Sequence, residues 1–223
     1  MARVTRPAPL VALTRLPMPG RYALLIFGLF LYGLSLRLML DARVGVAPWE
    51  VLHVGITRHL PLSVGVVSIL TGVVIVAFTA LKLREKIGPG TLLNVLLIGT
   101  FLDVLAPLIP NPENLGLRWI QFVLGVALLG LATGTYVAAG LGAGPRDGLT
   151  LGLRRVYGWP VSRTRTGVEI AVLGTGLLLG GPVGWGTLVF ALAIGPAMSA
   201  GLGLFGLGQR KEPPAAVTPL PAD

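Results

Sequence analysis

Cysteine is absent from this chain of 223 residues, which excludes disulfides, thiolate metal sites and cysteine nucleophiles. Histidine is scarce: His53 and His59 are the two present, too few for a histidine-rich metal centre. Charge is scarce as well. Charged residues make up 12% of the chain, against about 25% in a typical soluble domain. That leaves too few polar groups to cover a surface facing water. What replaces them is apolar: 53% of the residues are hydrophobic and the mean hydropathy is +0.81. The apolar residues come in long runs with few charges, the pattern of helices whose solvent is lipid.

Six such runs are legible, near 22–40, 62–81, 91–109, 119–139, 166–179 and 187–207. The first is too long for the apolar core of a signal peptide and reads as an uncleaved span. Residues 1–20 read as a basic, proline-rich cytoplasmic tail, and 209–223 as a disordered cytoplasmic tail with four prolines. Between the tails lies one membrane domain, 21–208. The expected fold is therefore an all-α, polytopic membrane helix bundle.

The net charge of +9 is distributed by topology. Fourteen of the 18 Lys and Arg residues fall in the N-terminal tail, the loops near 82–86 and 146–165, and the C-terminal end. Only Arg37, Arg43, Arg58 and Arg118 fall on the other side. By the positive-inside rule both termini are cytoplasmic, in a multi-pass protein of the cytoplasmic (inner) membrane. The basic loops suit anionic lipid. Nucleic acid is not expected as a partner, because no aromatic–basic surface module accompanies the charge. Trp49, Trp119, Trp159 and Trp185 all lie at expected span ends, where amphipathic rings favour the membrane interface.

A shift of 97 positions lays the second half of the chain on the first. Arg21 meets Arg118, and Gly28 and Gly33 meet Gly125 and Gly130. Gly45, Pro48 and Glu50 meet Gly142, Pro145 and Asp147. With one residue less, Gly88, Gly90 and Thr91 meet Gly184, Gly186 and Thr187. The repeats run over 21–110 and 118–208. Each holds three spans and one short segment, so an odd number of crossings turns the second repeat upside down relative to the first. That is the plan of many secondary transporters, and equally of a stable bundle made by duplication.

The two short segments share the pattern Gly-x-x-Pro-x-acid. Proline fits a first helical turn because its missing N–H has no partner there, and an acid in that turn meets the positive end of the helix dipole. Glu50, His53 and Thr57 form one polar stripe; Asp147, Thr150 and Arg154 form the matching one. Two readings fit such helices. Each lies flat in the interface, polar stripe to water, or each is a re-entrant half-helix whose N-terminus meets a solute in a central cavity.

Within the spans, Asp103 stands in the third run with Asn94 and Thr100 nearby. An intramembrane acid usually faces a wet interior and marks a functional position. Glu169, with Arg165 four residues before it, reads as an i,i+4 pair at the membrane face. The candidate substrate path is then Glu50, His53, Asn94, Asp103 and Asp147. No nucleophile–base set and no metal spacing stands out, so no catalytic residue, metal, cofactor or enzyme activity is expected.

At these residues the chain resembles the YczE/YyaS/YitT group of bacterial membrane proteins, in its YczE-like branch. The likeness rests on the glycine-containing first span, on Gly-Val-Ala-Pro-Trp-Glu-Val-Leu-His-Val-Gly at 45–55, and on Gly-Pro-Gly-Thr-Leu-Leu-Asn-Val-Leu-Leu-Ile-Gly-Thr-Phe-Leu-Asp at 88–103. Glu50 stands where the group more often has Asp, and Ser199 stands where a counterpart of Asp103 would be. The resemblance implies membrane location and topology and little function, since members are mostly of unassigned role and only sometimes labelled as transporters. The functional expectation is a small-solute transporter or permease-like protein. The alternative is a non-transporting partner, a regulator or substrate-capturing subunit, with a second copy or another protein bound.

Overall fold

The computed structural model describes residues 16–85, 87–142 and 144–207. Most of the expected N-terminal tail and all of the C-terminal tail lie outside the described residues. Among the described residues there are eight helices and no strand: α1 (Met18–Ala42), α2 (Pro48–Thr57), α3 (Val64–Leu81), α4 (Pro89–Val104), α5 (Leu115–Ala138), α6 (Pro145–Tyr157), α7 (Val161–Leu178) and α8 (Trp185–Leu204). Four of them, α1, α3, α5 and α8, are long and apolar enough to cross a membrane. The other two expected spans correspond to α4, which is apolar but has 16 residues, and α7, whose first half carries Arg163, Arg165 and Glu169. The chain is a helical membrane protein.

Local chemistry sets the helix starts. Pro19, Pro48, Pro89 and Pro145 sit in the first turns of α1, α2, α4 and α6, where no backbone bond is lost. Pro19 thereby carries α1 back to Met18, so residues 18–20 belong to the helix and not to the expected tail. The Ser63 and Asn114 side chains accept from first-turn N–H groups of α3 and α5, satisfying donors that have no partner within the helix. The helices of the second half begin at a near-constant distance from those of the first: 97 residues for α5, α6 and α7, and 96 for α8.

The core is a run of four helices, α4–α1–α5–α8. α1 and α5 pack antiparallel with small residues at the contact. A Cβ on Gly28 would stand 2.6 Å from Tyr136 N, and one on Gly125 would stand 2.7 Å from Met39 Cγ. Without a hydrophobic force between helices in lipid, such close backbone approach is the main source of packing energy. Gly33 takes α4 at Phe101, and Gly130 takes α8 at Ala197. Outward, Leu70, Val74, Phe78, Ile120, Leu124 and Leu192 are exposed, an apolar coat that suits lipid contact.

The short helices cross between halves: α2 packs on α7, and α6 on α3. Two matching loops hold this exchange. Val44 O, after α1, accepts from Gly186 N at the start of α8, and Leu141 O, after α5, accepts from Gly90 N at the start of α4, each at 2.8 Å. Gly45 and Gly142 turn the chain into α2 and α6 at φ 134° and 133°, a backbone region open to glycine and strained for other residues.

Candidate functional site

The turns at Gly45 and Gly142 aim α2 and α6 inward, so that the first turns of both open onto one cavity of about 100 Å³. That is room for several waters or a small solute. The cavity is bounded by Tyr32 and Leu36 of α1, Ser68 and Thr71 of α3, Asn94 of α4, Thr133 and Tyr136 of α5, Arg165 and Glu169 of α7, and Ile194 and Met198 of α8.

Four of the five path residues expected from sequence meet here: Glu50, His53, Asn94 and Asp147. Glu50 is 1% exposed. Its Oε1 accepts from Arg146 Nη2 at 3.2 Å and lies 3.9 Å from His53 Nδ1. Glu50 Oε2 and His53 Nδ1 are buried without a hydrogen-bond partner. Arg146 stacks its guanidinium on Trp49, 4.7 Å from the ring centroid. Asp147 accepts from the Tyr136 hydroxyl at 2.9 Å. The Tyr32 and Tyr136 rings meet edge to face with centroids 6.1 Å apart. A Cβ on Gly144 would lie 3.4 Å from both Asn94 Nδ2 and Tyr136 Oη, so the amide and the hydroxyl flank the entry into α6.

Asp103 is not part of the cavity. Its carboxylate accepts from the Ser63 hydroxyl and, at 2.9 Å, from Gly65 N. It caps the N-terminus of α3 from α4, which supplies the acid with partners. The flat, interfacial arrangement of the short helices also does not hold for α2: Pro48, Trp49, Glu50, Val51 and His53 are all buried, and Glu50 and His53 of its polar stripe face the cavity.

Several members of the site escaped the sequence. Arg146 read as one more cytoplasmic-loop cation, and Trp49 as an interfacial anchor. They occupy matching positions under the 97-residue shift, one after each proline, and they stack on one another. Their shared offset was the available signal. Trp159 and Trp185 are exposed, at 55% and 77%. The Arg165–Glu169 pair forms, Nε to Oε1 at 3.2 Å, but on the cavity wall. The glycines and prolines of the two motifs, Gly45, Pro48, Gly88, Gly90 and their counterparts Gly142, Pro145, Gly184 and Gly186, build the reciprocal loops. A Cβ on Gly88 would stand 2.6 Å from Leu141 O, and one on Gly184 would collide with Val44 O. Among the described residues no cluster of acids and histidines has the arrangement of a metal site.

Residues 19–201 match the model of a family described as of unknown function, DUF6198. The chain is 38% identical over 176 residues to the uncharacterized membrane protein YczE of Bacillus subtilis, covering 78% of this chain and 82% of that one. It is 37% identical over 174 residues to an uncharacterized protein of Haemophilus influenzae, covering 78% and 79%. It is 27% identical over 165 residues to the uncharacterized protein YyaS of Bacillus subtilis, covering 73% and 82%. No solved structure matches. YczE and YyaS are its relatives, the family model spans α1 to α8 up to residue 201 and so takes in every element that lines the cavity, and the chain belongs to the DUF6198 family.

Proposed function

We propose that this protein is a small-solute transporter of the cytoplasmic membrane, with both termini in the cytoplasm and six crossings in two inverted halves. One observation carries the reading: the N-termini of α2 and α6 converge on a buried cavity that holds unpartnered polar atoms. In transporters built from inverted repeats, the substrate sits where broken or half-length helices meet at mid-membrane. Irregular backbone at that depth is tolerated where it lines a cavity. The reciprocal Val44–Gly186 and Leu141–Gly90 bonds support the inversion, since they tie the end of each half's first helix to the start of the other half's last. Glu50, His53, Asn94 and Asp147 form the substrate path.

Because the chain has no native cysteine, access can be tested directly. A Thr133→Cys variant places a thiol in the cavity wall. It is expected to react with a membrane-impermeant maleimide both in intact cells and in inside-out vesicles, as alternating access requires. His59→Cys should react from outside only and Arg155→Cys from inside only. Reaction of position 133 from neither side would sink the transporter reading. It would favour the non-transporting alternative, in which Arg154, Arg155 and Arg163 at the α6–α7 junction dock a partner protein.

A further inference from the structure

Glu50 and Arg146 form a half-made pair. One carboxylate oxygen meets one guanidinium nitrogen at 3.2 Å, while Oε2, on a side chain 1% exposed, has no partner. Charge pairs of this type are strongest as two parallel bonds, and a partly satisfied buried network is costly. Both partners therefore have more to gain. The Arg146 side chain is 30% exposed, lines the cavity, lies over the Trp49 ring, and belongs to a first helical turn; the first turn of α2 faces it. The positive ends of both helices thus flank the guanidinium.

The sign of the ligand follows from what each partner can do when the other is taken away. A cation on Glu50 would leave Arg146, which cannot shed its proton, with Asp147 alone, a weaker partner than Glu50 and one already held by Tyr136. An anion on Arg146 would strand Glu50, and a carboxylate can neutralise itself by taking a proton. An uncompensated buried charge is the costly outcome in either case, and only the second exchange avoids it.

Among the described residues no unengaged cation in the cavity is left to compensate a stranded Glu50. On its own helix His53 offers Nδ1, which is unpartnered and lies 3.9 Å from Glu50 Oε1. From α6 Asp147 is of like charge and held by Tyr136 of α5. From α7 Arg165 is engaged with Glu169. α3 brings hydroxyls only, Ser68 and Thr71, and α1 brings the neutral phenol of Tyr32.

We infer that the cavity binds a small carboxylate anion on Arg146, displacing Glu50, which takes up one proton from water on the same side. The new bond is O–H on the Glu50 carboxyl, and it breaks when the anion leaves and the pair re-forms. One negative and one positive charge enter together, so net charge in the cavity is unchanged. The transport consequence rests on the transporter reading above; the binding does not.

The probe is lactate, titrated against the purified full chain in detergent, with binding read as thermal stabilisation and tetramethylammonium as the cationic control. Wild type should bind lactate more weakly as pH rises, because one proton binds with each anion. Glu50→Gln, which mimics the protonated carboxyl, should bind lactate at least as well and lose the pH dependence. Arg146→Gln should not bind. Arg146→Lys, which keeps the charge and loses the fork, should bind about tenfold more weakly, and it serves if the glutamine variant fails to fold. The inference is overturned if neither wild type nor Glu50→Gln binds lactate, if Glu50→Gln keeps the pH dependence, or if tetramethylammonium stabilises where lactate does not. Glu50-dependent binding without lactate-driven proton movement in proteoliposomes would keep this site and remove the transporter reading. Solute uptake by a protein whose cavity ignores lactate would do the reverse.

Discussion

Two seams occupy matching places in the halves of this protein, and they are built differently. Where α3 meets α4, a Cβ on Gly65 would collide with Gly99 O and one on Gly99 with Gly65 O, and Gly72 lies against Val95. Asp103 then bonds across the same seam to Ser63 and Gly65. The corresponding positions of the second half are Ser162, Gly195 and Glu169. There α7 barely touches α8, a Cβ on Gly195 would meet nothing within 4 Å, and the visible link is Arg165 Nη2 to Met198 Sδ at 3.5 Å. Small residues are what let helices close on one another in lipid. Remove one of them and put a charged side chain at another, and the seam stays open. The closed seam is the back wall of the cavity, while Arg165, Glu169, Ile194 and Met198 form its sparsely packed opposite wall.

The largest effect that would test this contrast comes from the glycines. Gly99→Leu forces a side chain into the Gly65 carbonyl, and a loss of about 3 kcal/mol or more is expected. Gly195→Leu, at the matching position in the open seam, should change stability by less than about 0.5 kcal/mol. Both are read from the fraction that stays monodisperse in detergent after heating. If Gly195→Leu proved as damaging as Gly99→Leu, the second seam would have to be closed too.

A smaller pair of effects tests where the halves are alike. Gly45→Ala and Gly142→Ala both place a Cβ at positive φ, for about 1–3 kcal/mol of strain each. Gly45→Ala should be the worse of the two, because its Cβ would stand 2.5 Å from Thr187 N, whereas that of Gly142 would stand 3.0 Å from Thr91 Oγ1. The same heating assay ranks them, and the reversed order would mean that the second loop is the tighter clasp.

The smallest pair returns to the seams. Asp103→Asn weakens the cap on α3 and should lower stability by about 1 kcal/mol. Glu169→Gln removes one member of a pair whose side chains are 43% and 35% exposed, and less than about 0.5 kcal/mol is expected. Equal losses would show that the open seam is held by its ion pair after all.

Much of the architecture was legible in advance. The six apolar runs correspond to α1, α3, α4, α5, α7 and α8, and the Gly-x-x-Pro-x-acid segments to α2 and α6, within a few residues at most ends. Local rules suffice there, because proline, capping side chains and apolar length act over one or two turns. The site was half legible. Glu50, His53, Asn94 and Asp147 stood out as polar groups in apolar surroundings. Asp103 stood out for the same reason and proved to be a cap, since a lone acid in a span looks alike whether it meets a solute or a neighbouring N–H. Arg146 was hidden by the rule that orients the chain, which counts every loop cation as an interface group.

What the sequence determined by itself is the solvent, the helices and the near-constant offset between halves, all consequences of composition and short-range spacing. Which faces of those helices meet was decided only by the tertiary structure. It turned α2 and α6 inward at Gly45 and Gly142, brought Trp49 onto Arg146 from opposite halves, and left Glu50 Oε2 without a partner. Those outcomes depend on contacts between residues about a hundred positions apart. Whether a buried charge is satisfied depends on groups that approach it in space, which no local pattern records.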